Sequence, residues 1–251
     1  MSYDRESYWS AVGQHIEDRT ARRDVAGDEN AFYRYKRRKM LAKFLGALPV
    51  DGRTVMELGS GPGGNLEWLA RNRKPAQLIG VDISSTMLRL ASERLGRLAT
   101  LLKTDGEKIP LPDASVDLAY TVTVLQHNTT PEQLDSAVRE LARVTRGSIV
   151  LMEDTALTVK STVDSWIART RGQYEAALAK VGYRLESTDF LGLRVSREGY
   201  ARIRWHLGGV PEGAPAPRLM KAVVGAWVAI AAPLDSIIRD NADLTRMVFV
   251  R

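Results

Sequence analysis

Short apolar runs alternate with longer segments of helical periodicity through the middle of the chain. The runs that predict strands are Thr54 to Leu58, Gln77 to Asp82, Ala99 to Lys103, Val116 to Thr121 and Ser148 to Glu153. The segments that predict helices between them are Asn65 to Arg73, Ser85 to Leu95 and Pro131 to Val144. Because strands and helices alternate at this pace, the pattern predicts βαβ units and a parallel sheet covered on both faces.

The flanking segments follow other patterns. Residues 1–30 are polar and have the character of a helical arm, and helical spacing predicts a helix from Glu29 to Leu48. The elements predicted after the fifth strand are a helix over Ser161 to Lys180, a strand over Tyr183 to Phe190, an apolar helix over Arg218 to Ile230 and a strand over Thr245 to Val250. The segment before the last strand is too apolar for a solvated loop, so we expect it to act as a lid or as a homodimer contact.

These patterns divide the chain into four parts. Residues 1–48 are expected to form an N-terminal helical arm or lid, and residues 49–190 a ligand-binding α/β core. Residues 191–244 are expected to form a helical insertion, and residues 245–251 the last strand of the core.

Composition narrows the chemistry. The chain has no cysteine, which excludes thiol nucleophiles, cysteine-ligated zinc, disulfides and iron–sulfur clusters. Its net charge of +6 would suit an anionic partner, but the charge is spread over nearly the whole sequence. The charged N-terminus lacks the apolar core of a signal peptide, and the apolar stretch Ala222 to Leu234 is shorter than the roughly 20 residues of a membrane span. We therefore expect a cytoplasmic protein without a membrane span.

A glycine-rich loop follows the first predicted strand and opens a predicted helix. It reads Glu57-Leu58-Gly59-Ser60-Gly61-Pro62-Gly63. Its glycines, among them Gly59 and Gly61, allow a tight turn and let a ligand approach main-chain N–H groups. A carboxylate at Glu57 would repel a pyrophosphate but can attract an ammonium group or an ordered water. The loop therefore suits a cationic, phosphate-free ligand better than NAD.

Acidic residues follow the next two predicted strands. Asp82 ends the second strand, where a carboxylate of a doubly wound sheet accepts hydrogen bonds from both ribose hydroxyls. Asp105 and Gly106, after the third strand, could receive an adenine amino group, with Ile83 and Met87 flanking the ring. The alternative is that these carboxylates only cap helices. Their shared position at one sheet edge favours a nucleoside site.

The glycine loop, Asp82, Asp105 and the run Asp113-Ala114-Ser115-Val116-Asp117-Leu118-Ala119-Tyr120 together resemble the class I S-adenosylmethionine-dependent methyltransferases. The resemblance implies a Rossmann-like doubly wound α/β fold with a seven-stranded sheet whose last strand is antiparallel. It also implies S-adenosyl-L-methionine as cofactor and S-adenosyl-L-homocysteine as product. By the same resemblance, the glycine loop lies beside the methionine part of the cofactor, Asp82 on the ribose and Asp105 near the adenine. The residues from Thr121 to His127 would face the sulfonium and the acceptor.

The segment after the fourth strand bears on the acceptor. Family members that methylate exocyclic base amines carry an Asn/Asp-Pro-Pro-aromatic motif there, whereas this chain reads Thr121-Val122-Thr123-Val124-Leu125-Gln126-His127. The common mode of carbon-5 pyrimidine methylation needs a cysteine, which the chain lacks. Small molecules and glycans remain. The arm and the insertion loosely resemble sugar O-methyltransferases of actinobacterial polysaccharide and natural-product pathways.

Three residues are candidates for chemistry on the acceptor. His127 has the near-neutral pKa that suits removal of a hydroxyl proton, or it orders its loop. Glu153 and Asp154 end the fifth strand and could act as base, bind sugar hydroxyls or hold Mg²⁺, although two adjacent carboxylates do not establish a metal site. Arg37 shares a helical stripe with apolar residues, so it either reaches the cofactor carboxylate or an acceptor oxygen, or extends its head into water.

The leading hypothesis is an S-adenosylmethionine-dependent O-methyltransferase acting on a hydroxyl of a saccharide or sugar-containing small molecule. Aromatic residues at Tyr8, Trp9 and Trp205 would suit a sugar, although ordinary packing also explains them. The alternatives are a methyltransferase for RNA or for nitrogen or carbon atoms of another metabolite, and a noncatalytic module that kept the nucleoside site. Nucleic acid is the less favoured partner.

Overall fold

The structure is a computed structural model that describes residues 3–19, 23–238, 242 and 244–251. Its strands are β1 (Thr54–Leu58), β2 (Gln77–Asp82), β3 (Thr100–Lys103), β4 (Val116–Val122), β5 (Thr145–Asp154), β6 (Lys160–Val163), β7 (Trp166–Ala168), β8 (Arg184–Phe190) and β9 (Leu244–Val250). Seven of them form one sheet in the order β3-β2-β1-β4-β5-β9-β8. The last strand, β9, runs antiparallel to both β5 and β8. The Rossmann-like fold with an antiparallel last strand is therefore confirmed.

Helices cover both faces of this sheet. They are α1 (Arg5–Glu17), α2 (Ala31–Lys43), α3 (Gly64–Asn72), α4 (Ser85–Leu95), α5 (Pro131–Val144), α6 (Arg171–Ala179), α7 (Arg194–Leu207) and α8 (Arg218–Leu234). Two buried apolar clusters lie on opposite sides of the sheet, because alternate residues of strands such as β1 point to opposite faces. Met56 belongs to one cluster and Val55 to the other. The parallel strands end at a common edge, where Leu58 pairs with both Val81 and Thr121.

The predicted helix from Ser161 to Lys180 is wrong. The antiparallel strands β6 and β7 occupy its first half, and α6 begins only after Thr170. Thr170 caps α6 reciprocally with Gln173, and the β-branched and aromatic residues before it favour strands. The turn between β6 and β7 contains Ser165, which contacts the candidate site.

The helix predicted from Glu29 to Leu48 is shorter in the structure. Asn30 caps α2, since its side chain accepts a hydrogen bond from the Tyr33 amide, and the helix ends at Lys43 before a 3₁₀ turn. In the insertion, the apolar helix continues to Leu234 as α8, and α7 is an additional helix that the sequence pattern did not predict.

The insertion and the N-terminal arm contact each other over the ends of the strands. The Tyr8 hydroxyl donates a hydrogen bond to Glu212 Oε2 at 2.8 Å, and Arg19 Nε donates one to the Gly213 carbonyl at 2.5 Å. Arg19 is buried and also donates to the carbonyls of Val25 and Gly27. Residues 20–22 of the predicted arm and 239–241 and 243 of the predicted insertion lie outside the described residues. None of the described helices is long and apolar enough to cross a membrane.

Candidate functional site

Two adjoining cavities open at the carboxyl ends of β1, β2 and β4. We call the first the nucleoside cavity, since Asp82, Ile83 and Met87 line it. The second, the acceptor cavity, is lined by polar residues of α2 and the insertion, among them Lys36 and Glu212. The cavities share the lining residues Trp9, Ala26, Gly59, Gly61, Val122, Thr123 and His127. A ligand in one cavity would therefore meet a ligand in the other beside the glycine loop.

The glycine loop has the open backbone that its sequence predicts. Gly59 and Gly61 have φ values of +72° and +52°, which favour glycine because larger residues strain there. A Cβ atom on Gly59 would lie 2.3 Å from a methyl carbon of Val124, so the loop packs tightly against the segment after β4. A Cβ atom on Gly61 would meet nothing within 4 Å. Because Gly61 lines both cavities, this empty space is room for a ligand against the main chain.

Asp82 lies at the wall of the nucleoside cavity, as predicted from its place at the end of β2. It is buried, Oδ2 accepts a hydrogen bond from the Gly61 amide at 2.8 Å, and Oδ1 accepts one from the Ser84 amide at 2.9 Å. Burial raises the pKa of Asp82, against the opposing effect of these amides. Each carboxylate oxygen keeps a further lone pair, so Asp82 can accept hydrogen bonds from ribose hydroxyls. Ile83 and Met87 supply apolar walls for a planar base.

Asp105 does not line either cavity. Its exposed carboxylate accepts hydrogen bonds from the amides of Glu107 at 2.9 Å and Lys108 at 2.8 Å. These two hydrogen bonds lower the pKa of Asp105, and the bond from the Lys108 amide has the larger effect. Short acidic side chains readily bond to nearby backbone amides. Because the Asp105 carboxylate is held by these two amides, it does not make the predicted contact with the adenine. Thr104 and Gly106 line the cavity instead.

Glu57 lies behind the acceptor cavity. Its Oε1 accepts a hydrogen bond from Asn65 Nδ2 at 2.7 Å, and its Oε2 accepts one from the Tyr120 hydroxyl at 3.0 Å. Burial raises the pKa of Glu57 to about 8, although these bonds and the nearby Arg37 lower it. Asn65 Oδ1 accepts from Arg37 Nη1 at 2.9 Å, and Arg37 also pairs with Asp24 at 3.1 Å. Arg37 and Asn65 line the acceptor cavity, whereas Glu57 orients Asn65 from behind.

Thr121 and Glu153 bond to each other away from both cavities. The Thr121 hydroxyl donates to Glu153 Oε1 at 2.6 Å, and that oxygen also accepts from the Val124 amide at 3.1 Å. Burial raises the pKa of Glu153 to about 7 against these bonds. Glu153 therefore holds the loop after β4 in place. It lines neither cavity, so it would not contact an acceptor. Thr123 lines both cavities, and its backbone has a φ of +56°. The sequence predicted neither of these features.

His127 is buried and lines both cavities. Its Nδ1 lies 2.7 Å from the Ser165 carbonyl oxygen, which can only accept, so Nδ1 carries the hydrogen and Nε2 keeps a lone pair, to which the Gln126 amide nitrogen comes within 3.4 Å. The Trp9 ring meets the imidazole edge to face at 4.8 Å between centroids. Burial lowers the pKa of His127, since its charged form is disfavoured. The arrangement fixes a neutral imidazole that can accept a proton.

The acceptor cavity carries charges of both signs. Asp154 lines it and pairs with Lys36 Nζ at 3.0 Å, and Glu212 enters from the insertion. Lys36 and Glu212 were not predicted, because nothing local to either marks it as facing a cavity. Within the described part of the chain, no cluster of three or more His, Asp or Glu side chains could hold a metal ion. Trp205 and His206 of α7 line neither cavity.

The comparisons with known proteins agree with this geometry. Residues 56–151 match a family model described as a methyltransferase domain. A malonyl-[acyl-carrier protein] O-methyltransferase of Marinomonas sp. is 34% identical over 108 residues, which are 42% of this chain and 39% of that protein. The chain spans well under two thirds of the length of the curated relatives that it matches.

Solved structures share the fold at low identity. The [4+2]-cyclase SpnF has a TM-score of 0.63 at 15% identity, with 97% of this chain and 93% of that chain covered. Phosphoethanolamine N-methyltransferase 2 of Haemonchus contortus, in complex with S-adenosyl-L-methionine, has a TM-score of 0.58 at 18% identity, with coverages of 86% and 52%. Since one neighbour is named a cyclase, the fold alone does not fix the reaction.

Proposed function

Since residues 56–151 match a methyltransferase domain, we propose that the chain is a class I S-adenosylmethionine-dependent methyltransferase that methylates a hydroxyl of a saccharide or sugar-containing small molecule. The observation that carries the proposal is the meeting of two cavities at Gly61, Thr123 and His127. One cavity fits a nucleoside, and the other offers polar side chains of both charges. Their junction is where a methyl donor and an acceptor can be aligned, which is the main requirement of an in-line transfer.

The residues present fit S-adenosylmethionine. Asp82 would hold the ribose, Ile83 and Met87 would flank the adenine, and Arg37 with Asn65 would receive the amino-acid end beside the glycine loop. The bound cofactor supplies a methyl group on a positively charged sulfur.

His127 is the residue that we assign to the acceptor proton. A hydroxyl in the acceptor cavity would give its proton to Nε2 while the hydroxyl oxygen forms its bond to the methyl carbon and the bond from that carbon to sulfur breaks, so that the electron pair returns to sulfur and S-adenosylhomocysteine would leave. The Ser165 carbonyl holds the Nδ1 hydrogen and therefore stabilises the imidazolium that results. Burial lowers the pKa of His127, which favours the unprotonated form that can accept the proton.

The acceptor cavity supports a small polar substrate. Lys36 and Asp154 form an ion pair at its wall, and Gln126 and Glu212 add further hydrogen-bonding groups. Trp9 offers an aromatic face of the kind on which sugars and planar ligands pack. Mixed donors and acceptors beside an aromatic ring match a saccharide better than a hydrocarbon chain.

A carboxylate acceptor is the second candidate. The cation Lys36 at the cavity wall favours it, and so does the Marinomonas relative, which is named for O-methylation of malonyl-[acyl-carrier protein]. A carboxylate is already ionised and needs no general base. Such a reaction would proceed without His127, which gives the two candidates different expected responses to the same mutation.

Formation of S-adenosylhomocysteine tests the proposal. The purified chain is incubated with S-adenosylmethionine and two acceptor panels, one of methyl glycosides and nucleotide sugars, the other of di- and tricarboxylic acids. We expect turnover with the glycosides that is lost in His127→Ala. Turnover with the carboxylic acids alone, retained in His127→Ala, would replace the saccharide by a carboxylate acceptor. Failure to bind S-adenosylhomocysteine in calorimetry would overturn the methyltransferase assignment itself.

A further inference from the structure

The solvent-facing side of α8 is apolar along its whole length. We call this surface the α8 face, and it consists of Leu219, Val223, Ala226, Ile230, Leu234 and Ile237 of the turn that follows. Leu219 and Ile230 are each 65% exposed, and Ile237 is 76% exposed. The opposite side of α8 is buried through Met220 and Val224, where the helix contacts α2 and α7. Apart from Arg218 and Lys221 in its first turn, α8 is therefore apolar on both its buried and its exposed side, and an exposed apolar face of this kind is typical of an interaction surface.

Helix α7 brings two more exposed apolar residues to one end of the α8 face. The Val195 amide donates to Asp235, and Gly199 lies against the Trp227 ring, so α7 and α8 pack antiparallel. The last turn of α7 therefore lies beside the first turn of α8. This turn carries Trp205, which is 84% exposed, and Leu207, which is 41% exposed. An indole so exposed is typical of residues that sit at a lipid–water boundary.

The helix that carries the α8 face and the two helices that contact it, α2 and α7, have exposed arginines, which we call the cationic surround of the face. The three helices contain one acidic residue, Glu198, which pairs with Arg194, whereas Lys36 and Arg37 of α2 line the acceptor cavity and do not belong to this surround. The arginines exposed on these helices are Arg34, Arg38, Arg194, Arg202 and Arg218. An apolar centre within a cationic surround is complementary to a surface that is apolar below and anionic above.

We propose that the α8 face docks the protein onto the surface of an anionic lipid bilayer. The aliphatic side chains of α8 enter the boundary between headgroups and acyl chains, and the arginines of α2 and α7 contact lipid phosphates. A second copy of the chain fits less well, because a two-fold interface would bring two cationic surrounds together. The inference goes beyond the proposed function and does not depend on it, since docking needs neither cofactor nor acceptor.

Sedimentation of the full chain with vesicles tests the docking. The vesicles contain phosphatidylcholine alone or phosphatidylcholine with phosphatidylglycerol, and no S-adenosylmethionine is added. We expect binding to the anionic vesicles that weakens as salt is raised, and little binding to phosphatidylcholine alone. Ile230→Glu should weaken binding by about tenfold or more, since it replaces an aliphatic group that would enter the bilayer by a charged one. Replacing Arg38 by Gln should weaken it about fivefold.

Leu157→Glu is the matched control. Leu157 is 78% exposed but lies outside the α8 face, so the same new charge there should leave vesicle binding nearly unchanged apart from a small electrostatic loss. Trp205 provides an independent signal, because its emission should shift to shorter wavelength on anionic vesicles and the shift should be absent in Trp205→Phe. Melting temperatures show that each variant is folded.

Three outcomes would overturn the proposal. The first is no binding to anionic vesicles, and the second is binding that Ile230→Glu and Leu157→Glu weaken equally. The third is a concentration-dependent dimer in sedimentation velocity that Ile230→Glu converts to monomer, which would assign the α8 face to a second copy of the chain. None of these results bears on cofactor binding or turnover, which the soluble assay measures separately.

Discussion

Asp82→Asn should weaken cofactor binding, because the carboxylate is the group that we assign to the ribose. In the structure each carboxylate oxygen accepts one backbone amide, at 2.8 Å from Gly61 and 2.9 Å from Ser84, and keeps one lone pair for a ribose hydroxyl. Asparagine keeps one acceptor oxygen but replaces the other oxygen by an NH₂ group. That NH₂ donor would then face the N–H donor of a backbone amide. The variant therefore loses at least one hydrogen bond to the ribose and disturbs the turn that presents Gly61.

The size of the effect follows from the charge of the acceptor. Hydrogen bonds to charged groups contribute about 1.5–3 kcal/mol each, so the loss of one corresponds to an affinity lower by about 10- to 100-fold. Calorimetric titration with S-adenosylhomocysteine measures it directly. Thermal unfolding of the same samples shows whether the variant is folded, since Asp82 is buried.

Asp105→Asn is the matched control for this experiment. The substitution is chemically identical, but the Asp105 side chain is exposed and bonds only to its own turn. We expect its affinity for S-adenosylhomocysteine to equal that of the unmodified chain within a factor of about 2, since no ribose bond is lost. Unchanged affinity in folded Asp82→Asn, or an equal loss in both variants, would refute the assignment of Asp82 to the ribose.

Three further predictions concern the remaining site residues. Gly61→Ala and Gly52→Ala should each lower stability by about 1–2 kcal/mol, since both glycines have positive φ, but only Gly61→Ala should weaken S-adenosylhomocysteine binding in calorimetry. His127→Ala should lower kcat about 10²- to 10⁴-fold with little change in cofactor affinity, and a matching loss of affinity would mark a structural role instead. Glu57 has a raised pKa of about 8, so the folded state holds a proton that the unfolded state releases from its ordinary pKa of 4.5 upward. Stability should therefore fall between these pH values, by up to about 1.4 kcal/mol per unit, and urea unfolding of Glu57→Gln should show a smaller decline.

The sequence alone was sufficient for the fold and for the cofactor class. Alternating apolar runs and helical segments predict parallel βαβ units, and parallel strands end at one edge whatever the rest of the chain does. The glycine loop and Asp82 are strong signals for a nucleoside cofactor because they lie at the ends of these strands. Their roles depend on backbone geometry at a strand end, which the local sequence specifies within a few residues.

Only the tertiary structure decided how individual side chains at that edge are used. Asp105 and Glu153 also follow strands, but one bonds to its own turn and the other is enclosed by the loop after β4. Whether a carboxylate at this edge bonds to a ligand or to nearby backbone amides depends on its orientation after packing. The residue type alone does not determine this orientation. Lys36 and Glu212 reach the acceptor cavity from parts of the chain distant in sequence, so no local pattern marks them.

The segment from Ser161 to Lys180 shows the same limit within secondary structure. Its spacing is compatible with a helix, yet β6 and β7 form there and bring Ser165 to within 2.7 Å of His127. The two strands form a hairpin whose paired residues are three to eight positions apart, and β-branched and aromatic residues such as Val163 and Trp166 favour this pairing over a helix. The sequence therefore determined the scaffold and placed the glycine loop and Asp82 at one edge of the sheet, whereas packing of the arm, the hairpin and the insertion decided which other side chains reach the two cavities.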